Sequence, residues 1–283
     1  MLERVLKNIV ETVGVEYEII TIDNSDNKYS ICEAYNIGGK KAVFPFLCFM
    51  HEDICFDTPD WGHIVCSHLD NQKVGLIGVA GGDTKSIVPS SWSVPFKSNE
   101  INIIQHYKRS ATETEHVLQT NPVIQSVKKR VVALDGVWLC TKKSIFKEFQ
   151  FDENTFKGFH GYDIDYSLQV GQKFDVYVVF DILIHHFSEG TPDRKWIDSA
   201  FLISKKWAKK LPVSVYTLSS KDVNIHYYNS LQVLIKHLLR LNYSYWFILT
   251  ILFQYSFTAY FNTRKFFSLV KYLSIEMNNH RQM

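Results

Sequence analysis

The chain has 283 residues, 46% hydrophobic and 21% charged, a globular composition long enough for one large domain or a domain with an appendage. Thirty-one basic against 29 acidic residues leave a net charge of +2, and the basic residues form no consistent stripe, which argues against a nucleic-acid partner. The five cysteines (Cys32, Cys48, Cys55, Cys66, Cys140) are odd in number and lack C-x-x-C spacing, so reduced cytosolic thiols are expected rather than a disulfide framework or a zinc site.

"LERVLKNIVETVG" sets Leu2, Val5, Leu6, Ile9, Val10 and Val13 at helical spacing, with Gly14 to cap the end. Its charges and the lack of a long apolar core rule out a signal peptide. "YEIITID" reads as a short buried strand ending at Asp23, and "ICEAYNIGGKK" as a helix stopped by Gly38 and Gly39. "AVFPFLCFMHED" holds a strand that ends in an acidic cluster, and "DWGHIVCSHLDN" is an amphipathic helix. "VGLIGVAGG" is a strand running into a glycine loop. Residues 84 to 130, with Pro89, Trp92, Pro95 and Pro122, read as long loops over a site. "RVVALDGVWLC" is a strand carrying Asp135-Gly136, and "KKSIFKEF" a short helix. Next comes "KGFHGYDIDYSLQVGQK", with a helix over about 163 to 170 closed by Gly171. The strand "FDVYVVF" and then "ILIHHFSEG" follow.

Helices alternating with short, continuously apolar strands predict a layered α/β domain with a largely parallel sheet. Ligands in such sheets bind beyond the carboxyl ends of the strands. Asp23, His51-Glu52-Asp53, Gly81-Gly82-Asp83, Asp135 and His185-His186 all fall just past strand ends. Each also has a plain structural reading. Asp23 can start an Asx turn, His51 to Asp53 can cap a helix, and His186 can be an ordinary hydrogen-bonded histidine. Asp163 can be an N-cap, because a carboxylate there accepts free backbone N–H groups. On a helix two residues apart point different ways, so at most one of Asp163 and Asp165 can face a cleft. The functional reading joins these residues in one chemistry. Asp53 and His186 can hold a hard divalent cation together with a diphosphate, and Asp163 can act as a general base on a hydroxyl.

"FLCFMHEDI", "VGLIGVAGG", "ALDGVWL", "FDENTFKGFHGYDIDYSLQ", "HHFSEG" and "FLISKKW" follow one another in an order that resembles the glycosyltransferase 2-like proteins related to the StrF protein of streptomycin biosynthesis. The resemblance covers roughly residues 16 to 212 and implies a GT-A (Rossmann-like, nucleotide-diphospho-sugar transferase) fold. It implies a metal-assisted, inverting transfer from a nucleotide-diphosphate sugar, a UDP-sugar foremost, to a saccharide or lipid-linked acceptor, in the synthesis of cell-surface polysaccharide or glycolipid. The divalent metal would be Mn2+ or Mg2+. By the same resemblance Asp23 contacts the nucleobase, and His51-Glu52-Asp53 stands in the place of the D-x-D metal motif. Asp53, Glu52 and His186 are then the metal side, and Asp163 the base. Asp135, Gly136, Trp92, His160, Tyr162 and Asp165 border the donor and acceptor. Such domains usually open on a strand ahead of the first helix, and this chain starts at the helix. The reading is therefore a domain over 1–215 lacking that strand, with a non-catalytic, sugar-binding or scaffold homologue as the alternative.

Residues 216–283 form a second, aromatic-rich helical region. No charge occurs from Leu241 to Thr263, a length that meets a membrane span, yet polar residues interrupt it. Lys236, His237 and Arg240 precede the run, and Arg264, Lys265 and Lys271 follow it. This pattern leaves three readings: an interfacial helix on an anionic membrane, a packed bundle or homodimer contact, or a true span. The location expected is the cytoplasm, or the inner face of the plasma membrane.

Overall fold

The computed structural model describes every residue except 94–98, 108–113, 122–125, 189, 257, 259 and 282–283. The chain opens with α1 (Leu2–Thr12), α2 (Ile31–Lys41), β1 (Phe46–Met50), β2 (Ile54–Phe56), α3 (Trp61–Asp70), β3 (Val74–Gly78), β4 (Ala80–Gly82) and β5 (Thr84–Lys85). It continues with β6 (Asn99–Tyr107), β7 (Thr114–Gln119), β8 (Lys128–Val131), β9 (Ala133–Leu134), β10 (Trp138–Lys142) and α4 (Lys143–Glu148). α5 (Tyr162–Val170), β11 (Asp175–Val179), β12 (Ile184–His186), α6 (Arg194–Lys206) and β13 (Val213–Ser214) follow. Three helices close the chain: α7 (Ser220–Arg240), α8 (Tyr245–Ser256) and α9 (Thr263–Arg281).

The layered α/β architecture is as predicted, but the sheet is mixed and not mostly parallel. One sheet runs β1-β10-β3-β11-β8, and a second runs β2-β12-β6-β4-β9 with β7 on β6. Among the described strands only β11 with β3 and β12 with β6 pair in parallel. The apolar runs misled for a physical reason: they report burial on both faces, not strand direction. All five residues of β3 are buried. Leu76 enters one core with Leu139, Val176 and Phe156, while Ile77 enters another with Trp138, Cys140 and Val179. These alternating memberships place one core on each side of the sheet.

Four further expectations need correction. Residues 16–22 form no strand; Tyr17 and Ile19 are exposed, and Glu18 instead accepts the Val43 and Phe44 N–H groups. α2 runs through Gly38 and Gly39, because Gly39 is where the Phe146 ring packs and a Cβ would sit 2.5 Å from it. Its start is firm: Ser30 and Glu33 form a reciprocal capping box. Residues 84 to 130 are not loop throughout; they hold the long β6–β7 hairpin, while Pro95 and Pro122 lie outside the described residues. Lastly, Cys48 and Cys140 are joined as a disulfide across β1 and β10, where they are register partners. They are 92 residues apart, so spacing along the chain could not reveal the pair.

The last three helices share a separate core of Leu231, Leu234, Ile235, Leu238, Ile248, Leu252, Leu269 and Leu273, with Val88 and Ile197 added from the preceding part of the chain. Within the uncharged run α8 reaches only from Tyr245 to Ser256, after a turn at Asn242, which adopts φ +53°. Among the described residues no helix is long and apolar enough to cross a membrane.

Candidate active site

β1 ends at Met50, and the chain turns through His51, Glu52 and Asp53 into β2. The His51 N–H is held by the Val137 carbonyl at 3.1 Å. β2 pairs with β12 so that Ile54 lies opposite His186, and the Phe187 N–H donates to the Asp53 carbonyl at 2.9 Å. Two segments far apart in the chain thereby bring His51, Asp53 and His186 together. One ligand atom from each lies within 4.8 Å of the other two.

Their hydrogen bonds decide which nitrogens carry protons. Gln105 turns its NH2 to the carbonyls of His186 and Ser188, so its Oε1 faces His186 Nδ1 at 2.9 Å and must accept from it. The Nε2 lone pair of His186 is then directed at Asp53 Oδ1, 3.8 Å away, with the Ser188 hydroxyl 3.2 Å from the same nitrogen. Tyr162 donates its O–H to the Gly136 carbonyl at 3.0 Å, so its oxygen accepts from His51 Nε2 at 2.9 Å. The Nδ1 lone pair of His51 consequently faces Asp53 Oδ1 at 3.9 Å. Burial holds His51 below the usual imidazole range, and Asp135 and Asp53 only partly offset it. Asp53 Oδ1 is itself buried and has no hydrogen-bond partner. Two imidazole nitrogens and a carboxylate oxygen therefore converge, with the Ser188 hydroxyl beside one of them. These residues fit a divalent cation, and the ring nitrogens that face away have the outer partners that orient metal-binding histidines. Gln105→Ala is expected to weaken divalent-cation affinity by about 10–100-fold with the fold intact, measured by calorimetry.

A second group adjoins the first through Tyr162. α5 begins at Gly161, which caps the helix at φ +85°, a conformation that glycine adopts without strain. The predicted N-cap role of Asp163 is thus taken by Gly161, and Asp163 lies in the first turn. Its Oδ2 accepts the Gly136 N–H at 3.1 Å. Burial first, and then the neighbouring Asp135 carboxylate, push Asp163 up to about 7. Asp135 is held on both oxygens, by the Val137 N–H at 2.8 Å and by Trp92 Nε1 at 2.6 Å. Gly136 has no room for a side chain, since a Cβ there would lie 2.0 Å from the Tyr162 hydroxyl.

Asp53, His186, Tyr162, Asp163, Asp135, Gly136 and Trp92 are thus brought together. Four others are not. Glu52 is exposed and is not one of the converging ligand atoms. Asp23 is exposed and accepts the Ser25 N–H at 3.1 Å, the Asx-turn arrangement. His160 faces Asp193 at 3.7 Å. Asp165 is buried and points away, its carboxylate bound by Lys206, Trp207 Nε1 and Gln169. It supports the helix packing and does not border the cleft, which corrects its assignment to the substrate. His51 was placed in the metal motif but not among its ligands, and Gln105 was missed. The H-E-D triplet held a signal for His51, but Gln105 sits on a strand read as loop.

Residues 2–207 match the sequence profile described as "Glycosyltransferase like family". No curated protein matches the chain. Among solved structures, one is the crystal structure of GalNAc-T7 with UDP, GalNAc and Mn2+, at 11% identity and a TM-score of 0.44. It covers 81% of this chain, which spans only 45% of that one. Another is A197 from STIV, at 10% identity and a TM-score of 0.34, covering 64% of this chain and 79% of that one. Similarity this low carries no argument about the site. The profile match takes in both sheets, the Asp53 group and Asp163, and on it the chain belongs to the glycosyltransferase-like family.

Proposed function

We propose that this chain transfers a sugar from a nucleotide-diphosphate donor to an acceptor hydroxyl by a single inverting displacement in a GT-A-type site. The observation that carries the reading is the convergence of His51, Asp53 and His186 on one point, beside a carboxyl group raised to about 7. A cation bound there would neutralise charge developing on the leaving diphosphate. Two imidazoles among three ligands favour Mn2+ over Mg2+. Asp163 accepts the acceptor's proton as its oxygen bonds to the anomeric carbon and the bond to the diphosphate breaks. A carboxyl near 7 suits this role, because general-base efficiency is greatest when the pKa lies near the working pH. Tyr162 links the two halves, holding His51 with its oxygen and Gly136 with its proton. Calorimetry tests the donor site. UDP should bind more tightly with Mn2+ than without, and absence of binding under both conditions would sink the reading.

One observation favours the alternative of sugar binding without turnover. Residues 16–22 join no sheet, and Asp23 is exposed, so the nucleobase side is less built than the metal side. Turnover in wild-type protein that is lost on Asp163→Asn would eliminate that alternative.

The C-terminal helices supply a docking surface for an anionic membrane, where a lipid-linked acceptor would reside. Phe253, Phe261 and Phe267 are exposed, and their rings lie 5.8, 6.0 and 5.5 Å from Phe266. Trp246 on α8 is 81% exposed. From Val223 to Ile275 there is no acidic residue, while Lys236, Arg240, Arg264, Lys265 and Lys271 are basic. Aromatic rings among basic residues match an anionic interface, where each Lys or Arg contributes about 1 kcal/mol. The protein should co-sediment with phosphatidylglycerol-containing vesicles, less so in high salt, and Phe267→Ser should weaken this. Failure to bind such vesicles, with a dimer seen by sedimentation, would assign the surface to a second copy instead.

A further inference from the structure

β12 presents its two histidines in opposite directions. His186 faces Asp53, and His185 faces the β6–β7 hairpin, where a second set of ligating side chains meets. His106 on β6, its register partner Glu115 on β7, and His185 each offer one ligand atom, all within 4.8 Å of one another. None of them belongs to the site described above.

The two histidines approach closely, with His106 Nε2 2.9 Å from His185 Nδ1. Two neutral imidazole lone pairs at that distance repel, so a proton or a metal ion must lie between them. A carboxylate stands on the far side of His185. Its Nε2 lies 3.5 Å from Asp57 Oδ1. Asp57 is thus placed to serve as the outer carboxylate that orients a ligating histidine and raises its basicity. The Phe187 ring stacks on His106 at 4.3 Å, with the Arg4 guanidinium 3.8 Å from the Phe187 ring centre. This apolar wall fixes the plane of the His106 ring.

We propose that His106, Glu115 and His185 bind a transition-metal ion of the Zn2+ class, with Asp57 as the outer carboxylate. Two imidazoles and a carboxylate are a donor set for Zn2+ and not for Ca2+ or Mg2+, and the site uses no cysteine. Zn–N bonds of about 2.0–2.1 Å in a tetrahedral site place two nitrogens about 3.3 Å apart, so the rings need to part by only about 0.4 Å. Three protein ligands leave the fourth position open to water or a small anion. The ion would tie the β6–β7 hairpin to β12, the strand that also carries His186.

The test is a Zn2+ titration of the metal-stripped full-length protein, followed by calorimetry and, with Co2+, by visible absorption. Two equivalents are expected in the wild type. His106→Gln should remove one and Asp53→Ala the other, each with the part of the Co2+ absorption that its site supplies. Glu115 is exposed on β7, so Glu115→Gln leaves the fold undisturbed and should weaken the first site at least tenfold. Unchanged stoichiometry in His106→Gln together with unchanged affinity in Glu115→Gln overturns the proposal and leaves a proton shared between the two histidines. Because Asp53→Ala is read separately, failure here is distinct from failure of the donor site.

Discussion

Asp163→Asn is expected to lower the rate of sugar transfer by about 10²–10⁴-fold while UDP binding in Mn2+ changes little. Asparagine is nearly the same size and still offers an oxygen to the Gly136 N–H, but it cannot take up a proton. The same variant makes two pH predictions. Wild-type kcat/KM should rise with pH and level off above about 7, because only the ionised carboxylate serves as base. Folding stability should run the other way. An acid raised from 3.8 to about 7 binds its proton more tightly in the folded chain. Its stabilising contribution is therefore fully present below the unfolded value and is lost as pH rises through the folded one. Asparagine never ionises, so Asp163→Asn should melt higher than wild type at pH 8, by roughly 2–4 °C for each kcal/mol recovered, with the difference gone at pH 4. Turnover that survives the substitution removes Asp163 from the role of base. A melting difference that does not change with pH removes the buried-charge account.

Asp53→Ala should abolish the Mn2+ enhancement of UDP binding and reduce turnover at least as far as the 10–100-fold expected for an outer partner such as Gln105. Asp53 supplies the one anionic oxygen of the group, and without it two neutral imidazoles face an open space. The fold should survive, because Asp53 Oδ1 has no hydrogen-bond partner to lose. Metal dependence unchanged in Asp53→Ala would move the cation site elsewhere.

Some of the site was legible in the linear chain. H-E-D after an apolar run, D-G within another, Y-D at a helix start and H-x-S at a strand end are local patterns. Their residues lie where strand and helix periodicity puts them. The asymmetry of Asp163 and Asp165 was legible too, since helical geometry sends residues two apart in different directions. One is beside Gly136, and the other is bound by Lys206 and Trp207. What the chain could not display was partnership at long range. Gln105 orients His186 from 81 positions away, and Tyr162 orients His51 from 111. Cys48 meets Cys140 only because β1 and β10 pair in that register.

By itself, then, the sequence determined the periodic elements, the residue types capable of metal and proton chemistry, and the change of character near residue 216. These follow from nearest-neighbour sterics and from apolar spacing, which act over a few residues. Only the tertiary structure decided strand direction, the hydrogen-bond partners of His51 and His186, the raised carboxyl of Asp163 and the grouping of His106 with His185. Each of those depends on which distant groups share a low-dielectric space, and that is set by packing and not by position along the chain.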